Sequence, residues 1–228
     1  MRILCIIPVR GGSKGIPGKN AKNIAGKPLL AWSVEQALAA DFKMDVLVST
    51  DSPELAQIAA AHGAQVPFMR PAELAQDTSP TEPAVIHAIN FQNSAGMRPD
   101  AVMLLQATSP IRHRGTIDRA ITQFVEQGLD SLVGTVAQTP FLWREDPSVR
   151  ALYEVGARPR RQDLRAEDMF YRETGSLYLT KTEIYLEQNN RIGGKTGVLV
   201  MDEDEGVDID TPTDFLIAEQ LLLKLNQS

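Results

Sequence analysis

The chain has 228 residues, 43% of them hydrophobic and 23% charged, and carries a net charge of −6 at neutral pH. That length suits one sizeable domain burying roughly 70% of its unfolded surface. The acidic balance argues against a general nucleic-acid binder, and no apolar run approaches the ~20 residues needed to cross a membrane. Cys5 is the single cysteine, which excludes an intrachain disulfide; with no signal-type leader, the expected compartment is the reducing cytoplasm.

In chain order, the first element is an apolar run at Ile3–Pro8 that reads as a buried strand. It leads into Arg10-Gly-Gly-Ser-Lys-Gly-Ile-Pro-Gly-Lys-Asn20, a turn with four glycines and three cations, and no acidic residue occurs before Glu35. Backbone N–H groups around Gly11, Gly12 and Ser13 suit a phosphate nest, while Arg10, Lys14 and Lys19 supply neutralising charge. The turn lacks the Gly-Lys-Ser/Thr ending of a P-loop. Its adjacent Gly11-Gly12 also departs from the dinucleotide fingerprint, and Asp51 lies about twice as far downstream as that motif's ribose-binding acid.

Helical patterns follow at 28–40, 53–62, 82–93, 115–127, 181–188 and Pro212–Leu225, and strand patterns at Asp45–Ser49, 65–68, 101–106, 131–135, 176–180 and 197–201. Asp51-Ser-Pro-Glu54 and Thr211-Pro212 are helix-start signals, and Gly63 and Gly128 are stops. This alternation predicts an α/β fold, a mostly parallel sheet with helices on both faces. Ligands of such sheets bind beyond the carboxyl ends of the strands, where the strand order reverses. We read residues 1–228 as a single domain. The aperiodic stretch 138–172 reads as a small inserted arm whose Phe141-Leu-Trp143 either contacts a second copy, making a homodimer, or packs on its own domain.

Near the carboxyl terminus, Asp208 and Asp210 alternate about Ile209. In an extended segment both carboxylates face one way, which suits Mg²⁺ held by one or two carboxylates, water and phosphate oxygens; the alternative for Asp210 is a helix N-cap. The run Asp202-Glu-Asp-Glu205 reads as a solvated turn. His62, His87 and His113 have no metal-ligand spacing and read as structural.

The Pro-Val-Arg-Gly-Gly-Ser-Lys-Gly-Ile-Pro-Gly-Lys-Asn run, ending at Asn20, resembles the signature of the acylneuraminate cytidylyltransferases, or CMP-sialic acid synthetases. Further matches follow in the family's order: Val48-Ser-Thr-Asp51, Arg70-Pro-Ala-Glu-Leu-Ala-Gln-Asp-Thr78, Leu105-Gln-Ala-Thr-Ser-Pro-Ile-Arg112, Arg161-Gln-Asp-Leu164, Tyr171-Arg-Glu-Thr-Gly-Ser176 and Val207-Asp-Ile-Asp-Thr-Pro212. The resemblance implies a Rossmann-like nucleotidyltransferase fold. It also implies transfer of CMP from CTP to the anomeric hydroxyl of a sialic-acid-like nine-carbon α-keto sugar, with release of pyrophosphate. Arg10 and Lys19 would stabilise the leaving group, with Lys14 supporting. Asn20, Arg70 and Thr81 match positions around the nucleotide, and Asp208 and Asp210 match the metal position. Gln106 matches a sugar contact and Arg161 an acceptor-carboxylate contact, with Arg158, Arg160 and Arg165 as neighbouring alternatives for the latter; Arg112 either contacts ligand or fixes its loop. The rivals are a same-fold enzyme using another NTP or a sugar 1-phosphate, and a non-catalytic nucleotide-sugar-binding protein.

Overall fold

The computed structural model describes residues 1–12 and 15–226. The chain runs through β1 (Ile3–Pro8), a short ribbon of β2 (Asn23–Ile24) and β3 (Lys27–Pro28), then α1 (Leu29–Leu38), β4 (Asp45–Ser49) and α2 (Pro53–Ala61). Next come α3 (Thr81–Ser94), β5 (Ala101–Leu105), α4 (Thr116–Glu126) and β6 (Ser131–Gln138). A second ribbon, β7 (Trp143–Glu145) with β8 (Val149–Ala151), precedes β9 (Phe170–Lys181), α5 (Thr182–Gln188), β10 (Thr196–Met201) and α6 (Pro212–Leu225).

Six strands make one sheet in the order β10-β6-β9-β5-β1-β4. β1 lies parallel to β4 and β5, and β10 parallel to β6, whereas β9 runs antiparallel to both its neighbours. The order reverses between β1 and β5, so a crevice opens there. β1 is apolar throughout because both its faces are covered. Ile3, Cys5 and Ile7 pack with α1, α2 and α4, while Leu4 and Ile6 pack with α3 and α5. Cys5 is fully buried, and that burial pushes its thiol pKa up to about 12. A third cluster joins Ile16, Ile24, Trp32 and Ile209 to Phe215 and Leu222 of α6, so the amino-terminal turn is packed against the last helix.

The helix-start signals act as expected. Ser52 Oγ accepts from Leu55 N at 3.4 Å. Thr211 and Asp214 form a reciprocal capping box, with Thr211 N donating to Asp214 Oδ2 at 2.7 Å. Thr211, not Asp210, therefore caps α6.

Four expectations need correction. Residues 65–68 are not a strand: Gln65 alone bridges Leu47, and Pro67, two positions on, has no N–H to continue the ladder. β9 is longer than 176–180, because Phe170–Glu173 pairs with Thr135–Gln138 beyond a register shift. The arm is accordingly 139–169, since both ends of 138–172 stay in the sheet. Glu205 is fully buried rather than part of a solvated turn; it accepts from Thr116 Oγ1 at 2.7 Å and from the amides of His113 and Asp202.

Candidate active site

A cleft of about 420 Å³ lies beyond the carboxyl ends of β1 and β5, at the reversal of strand order. Its walls come from Arg10, Gly15, Lys19 and Asn20 on one side, Arg70 and the segment before α3 on another, and Gln106 to Thr108 on a third, with Asp210 closing the rim. Arg10, Lys19, Asn20, Arg70, Thr81, Gln106 and Asp210 all line it.

The basic turn and the aspartate segment meet here. Lys19 is buried, its Nζ donates to the carbonyl oxygen of Ile209, and it lies 4.0 Å from Asp210 Oδ1. Gly15 passes so close that a Cβ there would collide with the carbonyl oxygen of Asp210. On its other side the segment is tied to the loop after β5, through Ile209 N donating to Thr108 O at 2.9 Å. The Ile209 side chain is fully buried between the two aspartates and anchors them to the third core cluster.

On the nucleotide side, Asn20 Nδ2 donates to Arg10 O at 3.3 Å. Its buried Oδ1 has no hydrogen-bond partner among the described residues, so an acceptor is left open. Arg70 is buried; it donates to Val9 O at 2.6 Å and lies 3.7 Å from Asp51. Burial lowers its pKa, and Asp51 counters that. Arg10 donates to Gln76 O at 3.1 Å and pairs with Asp77 at 3.0 Å. The N–H of Gly11 is taken by Asp51 Oδ1 at 3.0 Å, so this amide is not a free member of a phosphate nest as expected. Gly12 is exposed with open space around it. Thr81 is the first residue of α3. Ser13 and Lys14 lie outside the described residues.

Asp208 is half-buried and does not line the cleft itself. Its Oδ1 accepts from Ser109 Oγ and from Ile209 N, both at 3.1 Å, while Oδ2 accepts nothing among the described residues. Asp210 has a side chain 81% exposed at the cleft rim. Asp210 at the rim and Asp208 two residues before it both have carboxylate oxygens to spare, a donor set that fits a hard divalent cation completed by water and substrate oxygens. A different group, His113, Asp202 and Glu205, also has ligand atoms within 4.8 Å of one another. It is internally spent: the His113 ring bonds Asp202 at 3.0 Å and Asp204 at 3.1 Å, and Glu205 holds three donors.

On the acceptor side the residues divide. Gln106 reaches the cleft. Arg161 does not: it stands on an exposed turn of the arm, Arg161–Asp163. Its neighbours are engaged, Arg158 over the Phe141 ring at 4.3 Å, Arg160 with Asp163 at 2.7 Å and Arg165 with Asp168 at 3.3 Å. Among the described residues only the Arg161 side chain, of these four, has no hydrogen bond or ion pair. Arg112 is buried and bonds protein groups, so it fixes its loop. Asp77 and Ser109 also belong to the site's bonding, through Arg10 and Asp208 respectively. Asp77 lies in a quoted motif without regular periodicity, and Ser109 follows Gln106 in another; that position was their only signal.

Comparison with solved structures places this architecture. A CMP:2-keto-3-deoxy-manno-octonic acid synthetase complexed with CTP superposes with a TM-score of 0.71 at 16% identity, over 98% of this chain and 99% of that one. A 4-diphosphocytidyl-2C-methyl-D-erythritol synthase gives 0.64 at 13% identity, over 97% and 100%. The fold is that of the nucleotidyltransferases. Among sequences, a CMP-N,N'-diacetyllegionaminic acid synthase of Legionella pneumophila is 36% identical, over 100% of this chain and 98% of its own. N-acylneuraminate cytidylyltransferase A of Danio rerio is also 36% identical, but the chain spans 51% of its length. A pseudaminic acid cytidylyltransferase of Campylobacter jejuni is 32% identical over 99% of this chain and 98% of its own. Residues 4–224 match the family described as Cytidylyltransferase, and the chain belongs to it.

Proposed function

We propose that the protein transfers CMP from CTP to the anomeric hydroxyl of a nonulosonic sugar acid, with Mg²⁺ as cofactor, and releases pyrophosphate. The observation that carries this reading is the convergence of Lys19 with the Ile209–Asp210 segment on one cleft. The acceptor oxygen attacks the α-phosphorus, its bond to phosphorus forms as the bridge to the β-phosphate breaks, and the hydroxyl proton is released. In-line displacement needs positioning and charge stabilisation rather than a covalent enzyme intermediate. Arg10 and Lys19 are suited to the negative charge on the leaving pyrophosphate, with Lys14 nearby in sequence. Asn20, Arg70 and Thr81 are suited to the base and ribose, and the backbone of Gly12 and Ser13 to the phosphates, with the Gly11 amide held by Asp51. Asp208 and Asp210 would hold the metal, which when bound polarises the phosphate and lowers the pKa of the attacking hydroxyl.

Gln106 is assigned to the sugar and Arg161 to its carboxylate, a bidentate match for a guanidinium. Arg161 lies away from the cleft of its own chain. We therefore read the arm, with Trp143, Val149 and Val155 exposed, as the contact of a homodimer. A single buried thiol and the net charge of −6 support a cytoplasmic enzyme that does not bind nucleic acid. Among the described residues no helix is long and apolar enough to cross a membrane.

The test is pyrophosphate release with each of the four NTPs against N-acetylneuraminate, legionaminate, pseudaminate and sugar 1-phosphates. Turnover of CTP with a sugar acid and Mg²⁺ is expected. Turnover only with a sugar 1-phosphate would refute the acceptor class.

A further inference from the structure

We propose that Arg112 is a positioning residue for the acceptor, holding Gln106 and the bulged turn of β9 in one fixed relation; the proposal rests on the functional reading above. Arg112 is only 4% exposed. One end of its guanidinium is anchored to α1, where Nη1 donates to Ser33 Oγ at 3.0 Å and Gln36 Oε1 at 3.1 Å. The other end, Nη2, donates to Gln106 O at 2.9 Å and Ser176 O at 2.6 Å. These two carbonyls belong to separate elements that meet at the acceptor side of the cleft.

The β9 carbonyl lies where the pairing of β6 with β9 shifts register, past Val133. Gly175, just before Ser176, has φ +71, a conformation that favours glycine, and a Cβ there would sit 3.1 Å from Gln106 Oε1. The Gln106 amide thus rests against the bulge, and Gln106 N also donates to Ser176 O at 3.4 Å. Arg112 fixes both sides of that contact.

A cation buried this far is a costly way to fill space. Burial drops its pKa to about 10, and among the described residues it makes no ion pair. Apolar side chains of similar volume often replace buried charges without loss of stability. What an apolar side chain lacks is a planar fork able to hold fixed acceptors on two elements at once, and lysine lacks it too.

The experiment is steady-state pyrophosphate release by the full chain, using CTP and whichever sugar acid the wild type turns over. Arg112→Lys, Gln106→Ala and the double variant are compared. Arg112→Lys should raise the acceptor KM about 10-fold or more while the KM for CTP stays within about twofold, since displacing a positioned group by ~1 Å can cost ~10²-fold. The double variant should be little worse than Gln106→Ala alone, the non-additivity expected of a shared pathway. If Arg112→Lys does not fold, Ser33→Ala, which loosens the anchor and keeps the fork, should give a smaller change of the same kind. Equal rises in both KM values, or effects that multiply in the double variant, would overturn the positioning role. A wild type that turns over no sugar acid at all overturns the functional reading, and the proposal with it. That outcome is separate because it appears before any variant is made.

Discussion

The cleft and the arm are both charged, irregular segments bordering strands of one sheet, yet they are held in opposite ways. In the cleft, Lys19 reaches Ile209, 190 positions away, and Arg70 reaches Val9 across 61. In the arm the ion pairs are local, Arg160 with Asp163 and Arg165 with Asp168, both three residues apart and exposed. Trp143, Val149 and Val155 are exposed on the single chain. Long-range contacts among buried groups fix a geometry that one chain can hold by itself. Short-range exposed pairs fix only local shape, because each is worth about 0–1 kcal/mol.

The sharpest way to break this contrast is at Lys19. Lys19→Ala should lower kcat/KM by ~10²–10³-fold, the scale seen when one preorganised charge-stabilising donor is removed; a loss below about tenfold in pyrophosphate release would separate the buried ammonium from the chemistry. Gly15→Ala comes next. Its Cβ would collide with the Asp210 carbonyl, and overpacking of this kind costs about 1–3 kcal/mol. Thermal melting should show that loss together with weaker CTP binding, whereas an unchanged melt would mean the turn is slack.

A smaller effect is expected in pH dependence. Burial alone would lower the His113 pKa, but hydrogen bonds with Asp204 and Asp202 and the nearby charge of Glu205 leave it raised. The stabilisation is fully present below the unfolded value of about 6.5, and is lost as pH rises through the higher folded value. The melting temperature of the wild type should therefore fall over that window relative to His113→Gln; parallel curves for the two proteins would dismiss the ion pairs as a source of stability. The smallest change in stability belongs to the arm. Replacing Trp143, Val149 and Val155 by serine should shift chain stability by about 0.5 kcal/mol or less per site. The same replacements should abolish the proposed homodimer in sedimentation; a dimer that survives them would relocate the subunit contact, and a wild type that sediments as a monomer would remove the proposal.

Local signals were the legible part of this fold. Ser52, Thr211, Gly63 and Gly128 mark helix ends through chemistry that acts within one turn, so the helices lie where the pattern put them. Non-local facts were not written in the pattern. A strand's apolar alternation does not encode its direction, so the antiparallel run of β9 and its extension through Phe170 emerge only from pairing. Glu205 looked like one of four solvated acids; its burial depends on Thr116 and His113, about ninety residues earlier. Where motif and topology agree, at Arg10, Lys19, Asn20, Arg70, Thr81, Gln106 and Asp210, the residues come together on one cleft. Arg161 does not join them, because its place depends on how the arm leaves the sheet.

Cys5 offers an intrinsic clock for the opening of this sheet. With no exposed surface and a thiol pKa of about 12, it should resist alkylating reagents for as long as β1 stays covered on both faces. Because the chain has only this one thiol, its labelling rate reports excursions that expose the central strand, with no introduced probe and one event per molecule.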